Sequence, residues 1–228
     1  MGISIVGKYI LTYRQMITSE EDPPFPFSEL IELGMEGNRN VFKDPSIKKL
    51  LSDPNTKFDV VMTVFFSAHE AGYYLAHRFQ AQLVLYCTGQ VSLPMIDHAM
   101  GMPHHPGLLP LGLFDYEPYK MNFWQRTVNT IATNMLELAR NHYLVPKVEK
   151  ILDEMLPGVE RPSLIELEKG TSLTLHYGHQ FIVDGNRPIA PNHVYIGMMN
   201  CRESKPLPED LKQFMDSGKD GIIYVSFG

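Results

Sequence analysis

An α/β fold built on a parallel sheet follows from three features of the sequence. The run FDVVMTVFF, Phe58–Phe66, is β-branched and aromatic without alternation, as in a strand buried on both faces of a parallel sheet. AHEAGYYLAHRF then keeps helical spacing through Ala68, Ala71, Leu75, Ala76 and Phe79, and LVLYC, Leu83–Cys87, restarts a buried strand. A strand that returns in parallel through a helix needs a right-handed crossover, and open sheets of such units take their ligands beyond the C-terminal ends of the strands. Phe65 to Glu70 would occupy that mouth, with Ser67 capping the helix.

The elements before and after this unit are read from caps, breakers and periodicity. The first forty residues predict little regular structure, because SEEDPPFPF is acidic and rich in proline, which removes backbone donors. Asp44-Pro45 then reads as an N-cap followed by proline in the first turn. Ile47, Leu50 and Leu51 continue a short helix that ends near Asp53-Pro54. Residues Asp97 to Tyr119, including HAMGMPHHPGLLPLG, are too dense in Gly and Pro for an ordinary connection and predict a covering or functional loop. From Met121 a long amphipathic helix is expected through Phe123, Val128, Ile131, Met135, Leu136 and Leu138, divided at Pro146 and reaching Leu156. SLTLHY (172–177), HVYIG (193–197) and GIIYVSFG (221–228) predict strands, and PLPEDLKQFMDSG predicts a helix with Gly218 as its C-cap. Because the final run ends inside a strand, a truncated protein is expected.

Composition narrows the function classes. The 228 residues carry 20 Lys+Arg against 26 Asp+Glu, a net charge of −6, without the basic stripe that nucleic-acid binding requires. With 44% hydrophobic and 20% charged residues the chain can bury a core. No stretch approaches the roughly 20 apolar residues of a membrane span, and the apolar start is too short for a secretory signal. Cys87 and Cys201, more than a hundred positions apart, make neither a zinc ribbon nor a disulfide framework. The chain contains no Asn-x-Ser/Thr sequon.

Several constellations invite chemistry. His98, His104 and His105 cluster near Asp97, but adjacent histidines rarely reach one ion and the carboxylate set is thin, so no metal site is expected. HEAG is half of the H-E-x-x-H zinc signature, with Tyr73 where the second histidine belongs. G-x-S-x-G and both glycine-rich phosphate loops are absent. His69 and Glu70 stand where strand gives way to helix. A glutamate there is more often a complement to the helix dipole than a reacting group. Thirteen methionines suit a pliable apolar pocket.

Taken together, three segments resemble one family, the animal UDP-glycosyltransferases and UDP-glucuronosyltransferases, insect members in particular. FDVV followed by EAGYYLAHRFQAQLV resembles the family's central strand and helix, and FWQRTVNTI the opening of its long helical region. NRPIAPNHVYIGMMNCRESKPLPEDLKQFMDSGKDGIIYVSFG is similar to the interdomain stretch, and the resemblance covers roughly residues 40–228.

The resemblance implies a partial Rossmann-like N-terminal lobe of a two-lobed GT-B glycosyltransferase, with a parallel sheet and a helical insertion. Residues 1–200 would form part of the acceptor-binding lobe, 201–220 the interdomain linker and helix, and 221–228 the first strand of the donor-binding lobe. The implied reaction moves a hexosyl or glucuronosyl group from a UDP-sugar co-substrate to a small lipophilic acceptor, with no further cofactor. A noncatalytic lipophile-binding module is the rival reading. Acceptor contacts are expected from Phe65, Phe66, His69, Met102 and Leu109, and donor contacts from Ser226 and Gly228. The family's general base is a histidine on the first strand-to-helix turn of the lobe, expected before this chain's start. The carboxylate that orients it falls at Val64, and Glu70 is the candidate substitute. The chain alone is expected to be inactive and to self-associate. The resemblance places the whole protein at the endoplasmic-reticulum membrane, on the lumenal side.

Overall fold

The computed structural model describes residues 27–65, 68–88, 94–112, 114–180, 189–197, 199 and 201–225, with side chains from Ile31 onward. Contacts divide the chain into two compact units, Met1–Gly197 and Met198–Gly228.

The first unit opens with α1, Phe27–Lys43, a 17-residue helix where the sequence predicted little order. The prolines end at Pro26, and beyond them Ile31, Met35 and Phe42 fall on one helical face. Met35 and Phe42 are buried in the core, and the Asn38 amide on the same side donates to the Ala68 carbonyl. Residues 1–26 lie outside the described set. α2, Pro45–Ser52, begins as its sequence predicts: Asp44 is extended and its carboxylate accepts from the Ser46 N–H at 2.7 Å.

β1 (Val60–Phe65), α3 (Ala71–Phe79) and β2 (Gln82–Cys87) form the expected parallel βαβ unit, extended by β3 (Thr171–His176) and β4 (His193–Tyr195) into a four-stranded parallel sheet of order β1-β2-β3-β4. Ser67, the expected cap of α3, lies outside the described residues, and the N-cap position is Glu70. Parallel register puts laterally paired residues on one face. Thr63, Leu85, Thr174 and His193 form one such row, and Phe65, Cys87, His176 and Tyr195 the next. Thr63 faces α3 so closely that a Cβ on Gly72 would lie 2.6 Å from its Oγ1, which fixes these rows on the helix-covered face.

Val60, Met62 and Val64 point the other way and are 51%, 56% and 46% exposed. The expectation that β1 is buried on both faces is therefore wrong. Among the described residues β1 is an edge strand, and its unbroken apolar run reads the same whether or not the second face is covered.

Between β2 and β3 run α4 (Pro94–Ala99), α5 (Phe123–Ala139), a π turn (Arg140–Leu144), α6 (Val145–Met155) and α7 (Leu164–Glu168). α5 starts with a reciprocal cap in which the Asn122 side chain accepts from the Gln125 N–H and the Gln125 side chain accepts from the Asn122 N–H. The division expected at Pro146 is the π turn. The Val145 N–H reaches back five residues to the Arg140 carbonyl just before the residue that has no N–H to give. α7 was not foreseen, although Ser163-x-x-Glu166 is a capping sequence and the Ser163 hydroxyl accepts from the Glu166 N–H. α1, α3, α6 and α7 pack together on the helix face, with Tyr73, Val148, Ile151 and Leu152 at the centre of the core.

In the second unit α8, Glu209–Asp216, forms where the sequence predicts it. Its C-cap is Ser217 in right-handed backbone, so the expected role of Gly218 is not observed; the glycine with positive φ is Gly221, at +95°. Residues 221–225 pair with no strand among the described residues, and Ile223 and Tyr224 are 91% and 80% exposed. The predicted strand is absent there because an extended segment is held only by a ladder partner.

Candidate functional site

The C-terminal edge of the sheet is where an open α/β fold presents a ligand site. The row Phe65, Cys87, His176 and Tyr195 runs along it, and the first three are buried. The His176 ring stacks on Tyr195 with centroids 5.3 Å apart, and its Nδ1 lies 3.2 Å from Nε2 of His193 in the row behind. Burial pushes the Cys87 thiol up to about 12, so it is an apolar wall of this edge rather than a nucleophile.

At the β1 end, Phe65 and the His69 ring pack with centroids 4.4 Å apart, and His69 Nε2 lies 2.7 Å from the Tyr73 hydroxyl one helical turn on. Beneath them is a buried polar network. Arg140, in the first position of the π turn, donates from Nε to Glu70 Oε1 at 3.1 Å and from Nη2 to Glu168 Oε2, and the Tyr73 hydroxyl donates to Glu168 Oε2 at 3.4 Å. Burial opposes the Arg140 charge, but Glu168 and Glu70 outweigh it and hold the guanidinium above its ordinary range. Burial raises the Glu168 carboxyl despite Arg140, and burial with both carboxylates pushes the Tyr73 hydroxyl well up.

The residues singled out in the sequence are thus partly assembled. Phe65 and His69 touch. Met102 shares the main core cluster with Phe65, and its sulfur accepts from the Ala190 N–H. Leu109 is buried outside that cluster, where its carbonyl accepts from Asn129 of α5. Phe66, Ser226 and Gly228 lie outside the described residues. Val64 pairs with Tyr86 on the face away from α3, whereas Glu70 is engaged by Arg140 on the helix side, its other oxygen 4.0 Å from His69 Nδ1.

The three clustered histidines separate. His98 pairs with Glu137 of α5 at 3.0 Å and His104 with Asp97 at 2.7 Å, and no group of three ligating side chains occurs among the described residues. Sequence reasoning missed His176, His193, Arg140 and Glu168, because only strand register and helix packing bring them into place. A cavity of about 550 Å³ lined by Tyr73, Tyr74, His77, Arg78, Leu83 and Gly170 opens toward the N-terminal ends of β2 and β3, away from this edge.

No described helix is long and apolar enough to cross a membrane. The family model described as UDP-glucoronosyl and UDP-glucosyl transferase matches residues 27–228. UDP-glucosyltransferase 2 of Dactylopius coccus is 29% identical over 95% of this chain and 41% of its own length, and UDP-glycosyltransferase UGT4 of the same organism is 31% identical over 82% and 37%. Mouse UDP-glucuronosyltransferase 1A7 is 28% identical over 89% of this chain and 36% of its own. The chain therefore spans about two fifths of the length of these relatives, and no solved structure matches it at a significant level. A parallel α/β unit with a polar, aromatic C-terminal edge, together with a family match over every described residue, establishes that the chain belongs to the UDP-glycosyltransferase family.

Proposed function

We propose that this chain supplies the acceptor-binding lobe of an enzyme that moves a hexosyl or glucuronosyl group from a UDP-sugar to a small lipophile. The observation that carries the reading is the row Phe65, Cys87, His176 and Tyr195 at the C-terminal edge, with His69 packed on Phe65. This surface sets the apolar and aromatic Phe65 and Cys87 beside the polar atoms of His69, His176 and Tyr195, which favours a lipophilic ligand bearing one or two hydrogen-bonding substituents. Phe65, Phe66, His69, Met102 and Leu109 are the proposed acceptor contacts, and Ser226 and Gly228 the first donor contacts. The proposed division is acceptor lobe over 1–200, linker and helix over 201–220, and the start of the donor lobe over 221–228. The whole protein is proposed to act at the lumenal side of the endoplasmic-reticulum membrane, as the family resemblance implies.

In this reading the acceptor hydroxyl loses its proton to a base as its oxygen attacks the anomeric carbon and UDP departs, inverting that centre. Val64 stands at the position of the base-orienting carboxylate. Its side chain lies on the sheet face opposite Glu70, so Glu70 is assigned to the Arg140 network and not to that role.

The isolated chain is proposed to transfer no sugar, since most of the relatives' length lies outside the aligned part. Incubation with UDP-glucose or UDP-glucuronate and a phenolic acceptor tests this; turnover above a no-protein control refutes it. Binding of a fluorescent lipophile that Phe66→Ala weakens supports the acceptor pocket, and indifference to that change refutes it.

A further inference from the structure

The loop that follows α4 holds a pair of side chains that the proposed reaction does not use. Asp97 is fully buried, and its Oδ2 lies 2.7 Å from Nδ1 of His104, whose side chain is 7% exposed. A carboxylate accepts, so the proton between them sits on Nδ1, and in the neutral imidazole this tautomer leaves the lone pair on Nε2. That nitrogen is buried and has no hydrogen-bond partner among the described residues. Buried polar atoms are nearly always paired, and a histidine that served packing alone would gain stability by satisfying or exposing its second nitrogen.

The segment is fastened in place. The Met102 N–H donates to the Asp97 carbonyl at 2.8 Å, closing a turn through Gly101 at φ +67°. The Thr174 hydroxyl of β3 donates to the Met100 sulfur, and the Ala190 N–H ahead of β4 donates to the Met102 sulfur. Asn129 of α5 holds the following loop through the Pro106 and Leu109 carbonyls and the Leu111 N–H. The Asp97–His104 pair is thus tied to the helix face of β3, and the chain neighbours Ile96, Met100 and Met102 around it are buried and apolar.

We propose that Asp97 and His104 form a binding site for the hydroxyl group of a small, mainly apolar ligand, with His104 Nε2 accepting the hydrogen bond and Asp97 fixing the tautomer. The proposal rests on the acceptor-lobe reading for the class of ligand; the geometry of the pair stands apart from it. His104 is a binding residue and Asp97 a positioning residue. A metal is the poorer occupant, because one open nitrogen is a single ligand and no three-group cluster surrounds it among the described residues.

The test compares 2-naphthol with 2-methoxynaphthalene, which share a ring system and differ in the O–H. Titration of the full 228-residue chain is expected to show about tenfold or more preference for the naphthol, as sites built around a hydroxyl discriminate against analogues lacking it. In nitrogen-15 spectra of the wild type, 2-naphthol should shift the His104 Nε2 resonance and the ether should not, a readout that needs no variant. His104→Phe should abolish the preference, Asp97→Asn should weaken it by freeing the tautomer, and His104→Gln, whose carbonyl accepts, should restore part of it. Equal affinities, binding of neither probe, an unmoved Nε2 resonance, or a preference surviving His104→Phe would each overturn the proposal. A complete enzyme that transfers no sugar would overturn the acceptor-lobe reading while leaving the naphthol preference intact, so the two failures are separable.

Discussion

Replacing Arg140 with methionine should be among the most damaging single changes available to this chain, and the reason is the charge it leaves behind. The guanidinium is 6% exposed and binds Glu70 and Glu168, themselves 2% and 5% exposed. Methionine fills the stem but leaves two buried carboxylates facing each other. Breaking a buried pair from one side costs about 3–5 kcal/mol, which for a chain of this size corresponds to a melting-point drop on the order of 6–20 °C.

The loss should also depend on pH. Burial holds the Glu168 carboxyl above its ordinary value of 4.5 even with Arg140 in place, and removing the cation raises it further. A carboxyl with a raised native value binds its proton more tightly when folded. Its favourable contribution is full below about 4.5 and is lost as pH rises through the native value, so the variant's deficit should be largest at neutral pH and shrink toward pH 5. Thermal or urea unfolding of wild type and Arg140→Met at pH 7 and pH 5 reads this directly, and adding Glu70→Gln and Glu168→Gln should recover much of the neutral-pH loss. A deficit under about 1 kcal/mol, or one equal at both pH values, would refute the account of Arg140 as the counter-ion of two buried carboxylates.

Three further outcomes follow from individual side chains. Native protein at pH 8 should react with one equivalent of a thiol reagent, at exposed Cys201, and with two only after denaturation, because Cys87 is buried with its thiol held at about 12. Gly72→Ala should cost about 1–3 kcal/mol in urea unfolding, since its Cβ would sit 2.6 Å from Thr63 Oγ1, and Thr63→Ala should offset part of that loss in the double variant. Concentration-dependent association in light scattering should fall in an Ile131→Glu, Met135→Glu double variant, which breaks the exposed apolar stripe of α5 at two positions more than half exposed.

Local signals in the sequence were sufficient wherever a short-range interaction decides the structure. Asp44-Pro45 caps α2, the Phe58–Phe66 and Leu83–Cys87 runs give β1 and β2, and Pro146 marks the break that becomes the π turn. The misses have a common physical origin. The proline run ahead of α1 masks the helical spacing of Ile31, Met35 and Phe42 within Phe27–Lys43. GIIYVSFG read as a strand because strand propensity is a statement about fitting beside a partner, and residues 221–225 have none among the described residues. The site was the least legible part. Phe65 and His69 were visible as neighbours across one strand end, but Arg140 meets Glu70 across 70 positions and Glu168 across 28. No spacing rule joins them.

α5 shows how a periodic pattern can be read correctly and still be assigned to the wrong side. Its apolar residues keep helical spacing, as predicted, and that stripe would ordinarily face the core. Here Phe123, Trp124, Ile131, Met135 and Leu138 are between 52% and 72% exposed, while Asn129, Thr133 and Arg140 are buried. The inversion is tolerated because the inner face is polar for a purpose. Asn129 satisfies three backbone groups of the 106–111 loop, and Arg140 neutralises two carboxylates under His69 and Tyr73. Hydrogen bonding to a loop that has no ladder of its own, and compensation of buried charge, thus set the rotation of this helix where hydrophobic burial would have turned it the other way. The hydrophobic stripe is left outside as a contiguous exposed apolar surface, the kind that marks an interaction or association site. A helix whose polar side is structural and whose apolar side is free joins the fold to whatever covers it, which is why the Ile131 and Met135 substitutions should alter association without disturbing the Asn129 and Arg140 contacts beneath.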